Sequence, residues 1–352
     1  MRQGKGLIWA SVTHFIVDFI CAWMIFSKIP GNGPWYLELL LYNFLAFAGQ
    51  LPLGLLIDHL REKHKSISRC AASAGCAICL AVLVTGIDSW FLAAAAGIGN
   101  GLFHAGSGAH ILCEYRNRSS AAGAFVSTGA LGIFLGSVLP FQRIVYILTI
   151  FVTAVLFLYS LRDISVKNEE PVCVKRERES HSFSIPDMLS VIFLFMVVAL
   201  RSLEGSIFSF RWNDSVMTGL FIAAAVFAGK LLGGLAAGCF GRFRTSVISL
   251  GTAAVFLVFS DQMTSALVGL LLFNMTMPVT LTALYDRFPG YPAASFGLLT
   301  FALYIGVLPV FAGVVSGISS VPVYVALTML SLILLAAGLF LQYGMKKREE
   351  DV

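Results

Sequence analysis

Long apolar stretches alternate with short polar breaks along the whole chain. The apolar runs fall near 7–27, 36–57, 69–87, 90–113, 120–140 and 143–162, and then near 185–206, 215–237, 245–260, 263–283, 294–316 and 321–344. A helix needs about 20 apolar residues to cross a bilayer, and most of these runs approach that length. The pattern predicts an all-α integral membrane protein of about twelve transmembrane helices. The breaks carry turn chemistry, as in Pro30-Gly31-Asn32-Gly33-Pro34 after the first span and Phe288-Pro289-Gly290-Tyr291-Pro292 before the eleventh. One connection, 163–184, is long and polar and contains Lys175-Arg176-Glu177-Arg178-Glu179. Such a segment is too polar to cross a bilayer and reads as a cytoplasmic linker. It divides the chain into a six-helix bundle over 1–162 and a second over 185–352 that ends in a short charged tail.

Composition agrees with the pattern. Hydrophobic residues make up 58% of the 352 residues and charged residues 12%, about half the charged share of a soluble domain. The net charge of +5 reports orientation here and does not imply a nucleic-acid partner. With the N-terminus placed inside, nineteen Lys and Arg fall on the inner face. Lys28, Arg143 and Arg211 fall outside, and Arg201 and Lys230 lie within spans. This asymmetry places both termini in the cytoplasm. The expected location is the cell membrane, multi-pass, of the bacterial inner-membrane kind, with the lipid bilayer as partner. The first apolar run lacks a signal-peptide cleavage site and carries His14 and Asp18, so it reads as a span. Cys76-Ala77-Ile78-Cys79 sits inside an apolar run without further ligands and reads as packing. The chain holds no G-x-S-x-G elbow, no H-E-x-x-H and no phosphate-cradling G-x-x-x-x-G-K-[ST]. An enzyme is therefore not expected, nor an ATP-driven pump, and no cofactor or resident metal is assigned.

The ionisable residues within spans are the candidates for chemistry, because a charge at mid-membrane costs about 2.5–3.5 kcal/mol on insertion scales. His14 and Asp18 are spaced i, i+4 and share one face of the first span. They fit a protonatable carboxylate tuned by an imidazole, or a structural hydrogen bond between helices. His104 lies in the fourth span within Gly99-Asn100-Gly101-Leu102-Phe103-His104-Ala105-Gly106-Ser107-Gly108. So many small residues favour close helix approach, and His104 fits a cavity ligand or a packing histidine. In the seventh span Arg201 and Glu204 are i, i+3 neighbours. They fit a local ion pair, or a guanidinium that grips an anionic substrate at two points. Glu38 fits a solvated acid at the start of the second span. Asn274 and Pro278 lie in the tenth span, where the proline permits a bend. A faint internal repeat supports the division into halves. Gly54 pairs with Gly234 at an offset of 180, and Asn100, Gly123 and Gly132 pair with Asn274, Gly297 and Gly306 at an offset of 174.

These features resemble the major facilitator superfamily. Its loop between the second and third spans, G-x-L-x-D-R-x-G-R-[RK], is matched by Gly54, Leu56, Asp58 and Lys63, whereas His59, Arg61 and Glu62 depart. Within that superfamily the chain is most similar to the fosmidomycin-resistance-type exporters. Ser11-x-x-His14-x-x-x-Asp18, Gly97-x-Gly99 through Phe103-His104, and Gly129-x-x-Gly132-x-x-x-Gly136 carry this likeness. Ala105-Gly106 stand where those relatives have Pro-Glu, and Ser137 follows the glycine series where they have proline. The resemblance implies a secondary active transporter that moves a small organic solute by alternating access, as a proton-coupled exporter and a monomer. It implies proton uptake and release at Asp18 aided by His14. It places His104, Asn100, Asn274, Arg201 and Glu204 at a substrate cavity, and Gly54, Asp58 and Arg61 at a cytoplasmic gate. Gly129, Gly132 and Gly136 are implied in helix packing. Three other readings share these residues: a facilitator or importer of the same fold, a divalent-metal exporter using His14, Asp18 and His104 as donors, and a membrane enzyme or sensor.

Overall fold

The fold is that of a computed structural model that describes residues 2–29, 35–61, 63–64, 66–85, 89–115, 117–140, 142–166, 184–315 and 317–350. Most of the polar linker (167–183) and the Pro30–Pro34 turn lie outside the described residues. Among the described residues the chain is helical throughout, with no strand. The first half runs α1 (Arg2–Lys28), α2 (Trp35–Asn43), α3 (Gln50–Arg61), α4 (Ile67–Val84), α5 (Ser89–Glu114), α6 (Ser119–Val138) and α7 (Arg143–Val166). The second runs α8 (Ile185–Ile207), α9 (Val216–Phe240), α10 (Arg242–Val258), α11 (Met263–Asn274), α12 (Met277–Arg287), α13 (Pro292–Phe311) and α14 (Val321–Glu350).

A π turn over Phe44–Ala48 joins α2 to α3, and α11 and α12 continue one another, so the helices make twelve segments. Among the described residues, nine of these are long and apolar enough to cross a membrane, which makes this a multi-pass membrane protein. α10, with 17 residues, falls just short in length, and α7 carries an apolar stretch over Val145–Leu158 among its described residues. α5 has 26 residues, but Asn100, His104, Ser107 and its glycines lower its hydropathy. Those residues are buried against protein, so α5 does not need a lipid-like surface.

Two interruptions have physical causes. In the second span, the Gly49 amide donates to the Phe44 carbonyl at 2.8 Å, the i to i+5 bond of a π turn. A Cβ at Gly97 of α5 would lie 2.8 Å from Leu45 Cβ in that turn. In the tenth span the helix stops at Asn274 and restarts at Met277, with Pro278 in the first turn of α12. Proline lacks an N–H and is tolerated there, where no intrahelical partner is lost.

The chain forms two compact units. Unit 1 comprises Met1–Arg116, Ala124–Cys173 and Tyr291–Phe301; unit 2 comprises Asn117–Gly123, Val174–Gly290 and Ala302–Val352. Each unit thus takes a short segment from the other half of the sequence, and glycines explain how. In unit 1, a Cβ at Gly54 of α3 would strike the backbone of Ala293, and one at Gly297 would strike that of Gln50. In unit 2, a Cβ at Gly234 of α9 would strike Ser119, and one at Gly123 would lie 2.7 Å from the Lys230 carbonyl. The repeat positions Gly54 and Gly234 therefore each receive a helix at backbone contact, and so do Gly123 and Gly297.

The most extensive helix pair in unit 1 is α4 with α5. Gly75 lies against the Phe103 amide, and a Cβ at Gly106 would come 2.6 Å from the Ala72 amide. Ala71, Ala105, Ala109, Ile57 and Ala293 form a buried cluster beside this seam. Gly75→Val is expected to destabilise the protein by about 1–3 kcal/mol through overpacking. Melting of the purified protein in detergent checks this, with Gly251→Val as control because nothing lies within 4 Å of that position.

Candidate functional site

α1 and α5 bring four polar side chains together in the interior of unit 1. His14 and Asp18 lie one turn apart on α1, and Asn100 and His104 one turn apart on α5. All four are buried, His104 being the most exposed at 8%. The His14 Nε2 lies 3.2 Å from Asp18 Oδ2, and the His104 Nε2 3.5 Å from Asp18 Oδ1. Asn100 Nδ2 donates to the same Oδ1 at 3.2 Å. Asn100 thus serves Asp18 directly.

The second nitrogen of each ring decides the proton count. His14 Nδ1 lies 2.6 Å from the Phe125 carbonyl, and His104 Nδ1 lies 2.9 Å from the Asn100 carbonyl. A carbonyl can only accept, so both Nδ1 atoms carry hydrogen. In a neutral ring the Nε2 is then a bare lone pair, and in both rings Nε2 faces the Asp18 carboxylate. Two lone pairs and a carboxylate repel one another unless a cation lies between them. The arrangement is therefore built to hold a cation: a proton shared between imidazole and carboxylate, or a metal ion. The three ligating atoms lie within 4.8 Å of one another.

The surroundings are aromatic and close. Phe125 stacks on His14 with centroids 4.6 Å apart, Phe103 packs edge-on to His104 at 5.3 Å, and Phe296 lies 6.4 Å from the His104 ring. An apolar wall of this kind strengthens every charge interaction inside it. From α6, Gly129 faces the cluster, where a Cβ would strike Asp18 Oδ2 and lie 2.8 Å from His14 Nε2. Gly132 and Gly136 continue this line along α1, against the carbonyls of Phe15 and Phe19.

Asp58, at the end of α3, has a fully buried side chain. Its carboxylate accepts from the Ala293 amide at 3.2 Å and the Ala294 amide at 2.8 Å. These are first-turn donors of α13, which have no intrahelical partner. Asp58 thus caps a helix distant in sequence, with its negative charge at the positive end of that helix. Arg61 NH2 lies 3.6 Å from Asp58, and its NH1 lies 3.0 Å from Cys113 Sγ.

A second polar latch, in unit 2, escaped sequence reasoning. Asn117 donates to the Thr282 carbonyl at 2.9 Å and to Asp286 at 2.6 Å, and Arg242 pairs with Asp286. Ser119 and Thr282 share a hydrogen bond of 2.9 Å. In the repeat Gly238 stands where an acid would match Asp58; Asp286 supplies an acid from α12 instead. No spacing within one loop could reveal this. Asn117 adopts a left-handed backbone, φ 56°, which suits asparagine.

The remaining candidates lie elsewhere. Arg201 and Glu204 of α8 are both buried and form no ion pair with each other. Asn274 ends α11 and donates to the Leu270 carbonyl of its own helix at 2.8 Å. Glu38 is not the solvated acid expected: it is 2% exposed and accepts from Ser89 at 2.5 Å. The start of α5 folds over it, a contact that periodicity cannot predict. Cys76 and Cys79 are buried free thiols, with Cys79 Sγ 3.8 Å from Cys21 Sγ.

The sequence matches no family model and no curated protein. Its fold does match solved structures. A major facilitator superfamily transporter, FucP, in the outward conformation, superposes with a TM-score of 0.64 at 10% identity, over 96% of this chain and 99% of that chain. A variant of the Escherichia coli fucose:proton symporter FucP gives 0.63 at 11% identity, over 96% of this chain and 98% of that chain. The chain therefore has the major facilitator fold.

Asp58→Ala leaves two buried amides without acceptors and is expected to cost about 1–3 kcal/mol of stability. Asp58→Asn should cost less, because its amide oxygen still accepts one of them. Melting temperatures of the two variants beside the parent check the order; equal values for all three would contradict it.

Proposed function

We propose that this chain is a secondary active transporter that carries a small organic solute across the cell membrane by alternating access, coupled to protons and directed outward. In this reading the spans number twelve, in bundles over 1–162 and 185–352 joined by the 163–184 linker, with both termini in the cytoplasm. The protein works as a monomer in the lipid bilayer, of the bacterial inner-membrane kind. The outward direction follows the resemblance of the helix motifs to fosmidomycin-resistance-type exporters. Coupling to a proton follows the chemistry of the site.

The observation that carries the proposal is the buried His14–Asp18–His104 cluster. A transporter couples two fluxes when one site has different affinity for its ion in two conformations. Here the proton lies between Asp18 and an imidazole Nε2. Fixed Nδ1 donors prevent either ring from turning to satisfy itself without that proton. Loading neutralises the carboxylate or charges a histidine, and release restores the opposed lone pairs. An ionisable cluster inside the membrane points to function in the absence of another task. Asn100 and Gly129 position Asp18. Gly54, Asp58 and Arg61 form the cytoplasmic gate, with the Asp58 cap on α13 as its closing contact. The bond between Asn117, Asp286 and Arg242 is its counterpart in unit 2.

Solute-driven proton movement in proteoliposomes tests the proposal. Asp18→Asn is expected to abolish it, while counterflow exchange of solute persists. Coupled movement retained in Asp18→Asn would remove Asp18 from the mechanism. The close set of two nitrogens and one oxygen also favours a second reading, transport of a divalent transition metal. A metal-dependent rise in melting temperature that disappears in His104→Ala would make the cation a metal.

A further inference from the structure

α8 carries Arg201 and Glu204 one turn apart, a spacing that lets opposite charges neutralise each other. They part instead. Glu204 turns to α14, where Thr328 donates to its Oε1 at 2.5 Å, and its Oε2 has no partner. Arg201 turns to the break between α11 and α12. Its NH1 donates to Thr276 Oγ1 at 3.2 Å, and its NH2 lies 2.7 Å from Met277 Sδ. A guanidinium offers five donors and does not shed its proton in proteins. Here it meets one hydroxyl and one thioether, which is a weak acceptor. Among the described residues no carboxylate is within ion-pair reach of it, yet Arg201 is only 6% exposed. A buried charge without a counter-charge is the arrangement that proteins otherwise avoid.

The break itself adds a second positive feature. Thr276 is the N-cap of α12, and its side chain caps no amide of that helix. Its hydroxyl donates back to the Phe273 carbonyl at 3.1 Å. The first turn of α12 holds no acidic residue. No acidic side chain in the first turn therefore offsets the partial positive charge of this N-terminus, at the point that Arg201 reaches. In membrane transporters, interrupted helices direct such ends at anionic solutes.

We propose that Arg201 and the N-terminus of α12 bind the oxyanion of the transported solute, so that the cargo is a small organic carboxylate or phosphonate. The guanidinium takes two oxygens in parallel; the α12 terminus takes the residual charge. The bound anion supplies the counter-charge to Arg201. This assignment rests on the transporter reading for the word cargo, but the anion site stands on its own geometry.

Melting of the full-length protein in detergent tests it, with acetate, lactate, methylphosphonate and phosphate as probes and methyl lactate as the uncharged control. At least one oxyanion is expected to raise the melting temperature of the parent, and methyl lactate is not. Arg201→Lys, which keeps the charge without the fork, should bind the same probe at least tenfold more weakly. Arg201→Gln should lose the shift, and in the absence of ligand should melt no lower than the parent, since it removes an uncompensated charge. No shift with any oxyanion, or a shift that survives Arg201→Gln, would overturn the proposal. So would an Arg201→Gln protein that melts well below the parent, which would mark a structural cation. Flux of the stabilising anion in proteoliposomes separates the two readings. Binding without flux removes the transporter reading and leaves the site; flux of neutral solutes alone, without anion binding, does the reverse.

Discussion

Charge in a low-dielectric interior is the constraint on which the rest of this structure depends. A bilayer offers no water to solvate an ion, so every ionisable group among the helices needs a partner inside the protein. Most have one. Asp58 receives two backbone amides; nearer the helix ends, partly exposed Asp286 receives Arg242 and Asn117, and Asp187 receives Arg287 at 2.6 Å. Two places depart from the pattern in opposite senses, beside Glu204, which takes only the Thr328 hydroxyl. Around Asp18, two imidazole Nε2 atoms face one carboxylate, a set that a proton or other cation holds together. Around Arg201, a guanidinium and a helix terminus lack an anion. The proposed proton site and the proposed anion site are those two places.

The helices can hold these groups because glycine brings backbones into contact. Gly75 and Gly106 seat α4 on α5, and Gly129, Gly132 and Gly136 seat α6 on α1. Without a hydrophobic driving force between helices in lipid, such close packing supplies much of the association. It also fixes chemistry. Gly129 leaves space at Asp18 that any side chain would fill, so the site is shaped by an absent methyl as much as by its own residues. Gly54 and Gly234 do the same for the segments beginning at Tyr291 and Asn117, which belong by contact to the unit of the opposite half.

Much of this was legible in the sequence. Apolar runs located the helices to within a few residues, because in lipid the period of burial is overridden by sheer length. The i, i+4 spacing of His14 and Asp18 put that pair on one face. The faint glycine repeat pointed to contacts that the structure makes. The illegible part was whatever depends on two distant helices. Nothing local to α8 says that Arg201 turns from Glu204 to the break after α11. Nothing near Glu38 announces Ser89, and Gly238 hid the fact that Asp286 supplies the acid from another helix. α5 also escaped a simple hydropathy count, because its polar small-residue surface meets protein and not lipid.

The central claim is that Asp18 and two imidazoles of fixed tautomer share a proton. Nitrogen-15 shifts of histidine-labelled protein in lipid test it most directly, with His14 and His104 assigned by His14→Gln and His104→Gln. The account predicts protonated Nδ1 atoms in both rings throughout a pH titration. It also predicts Nε2 signals that move together and lose that coupling in Asp18→Asn. Rings that carry hydrogen on Nε2 with a bare Nδ1, or Nε2 signals indifferent to Asp18, would contradict it.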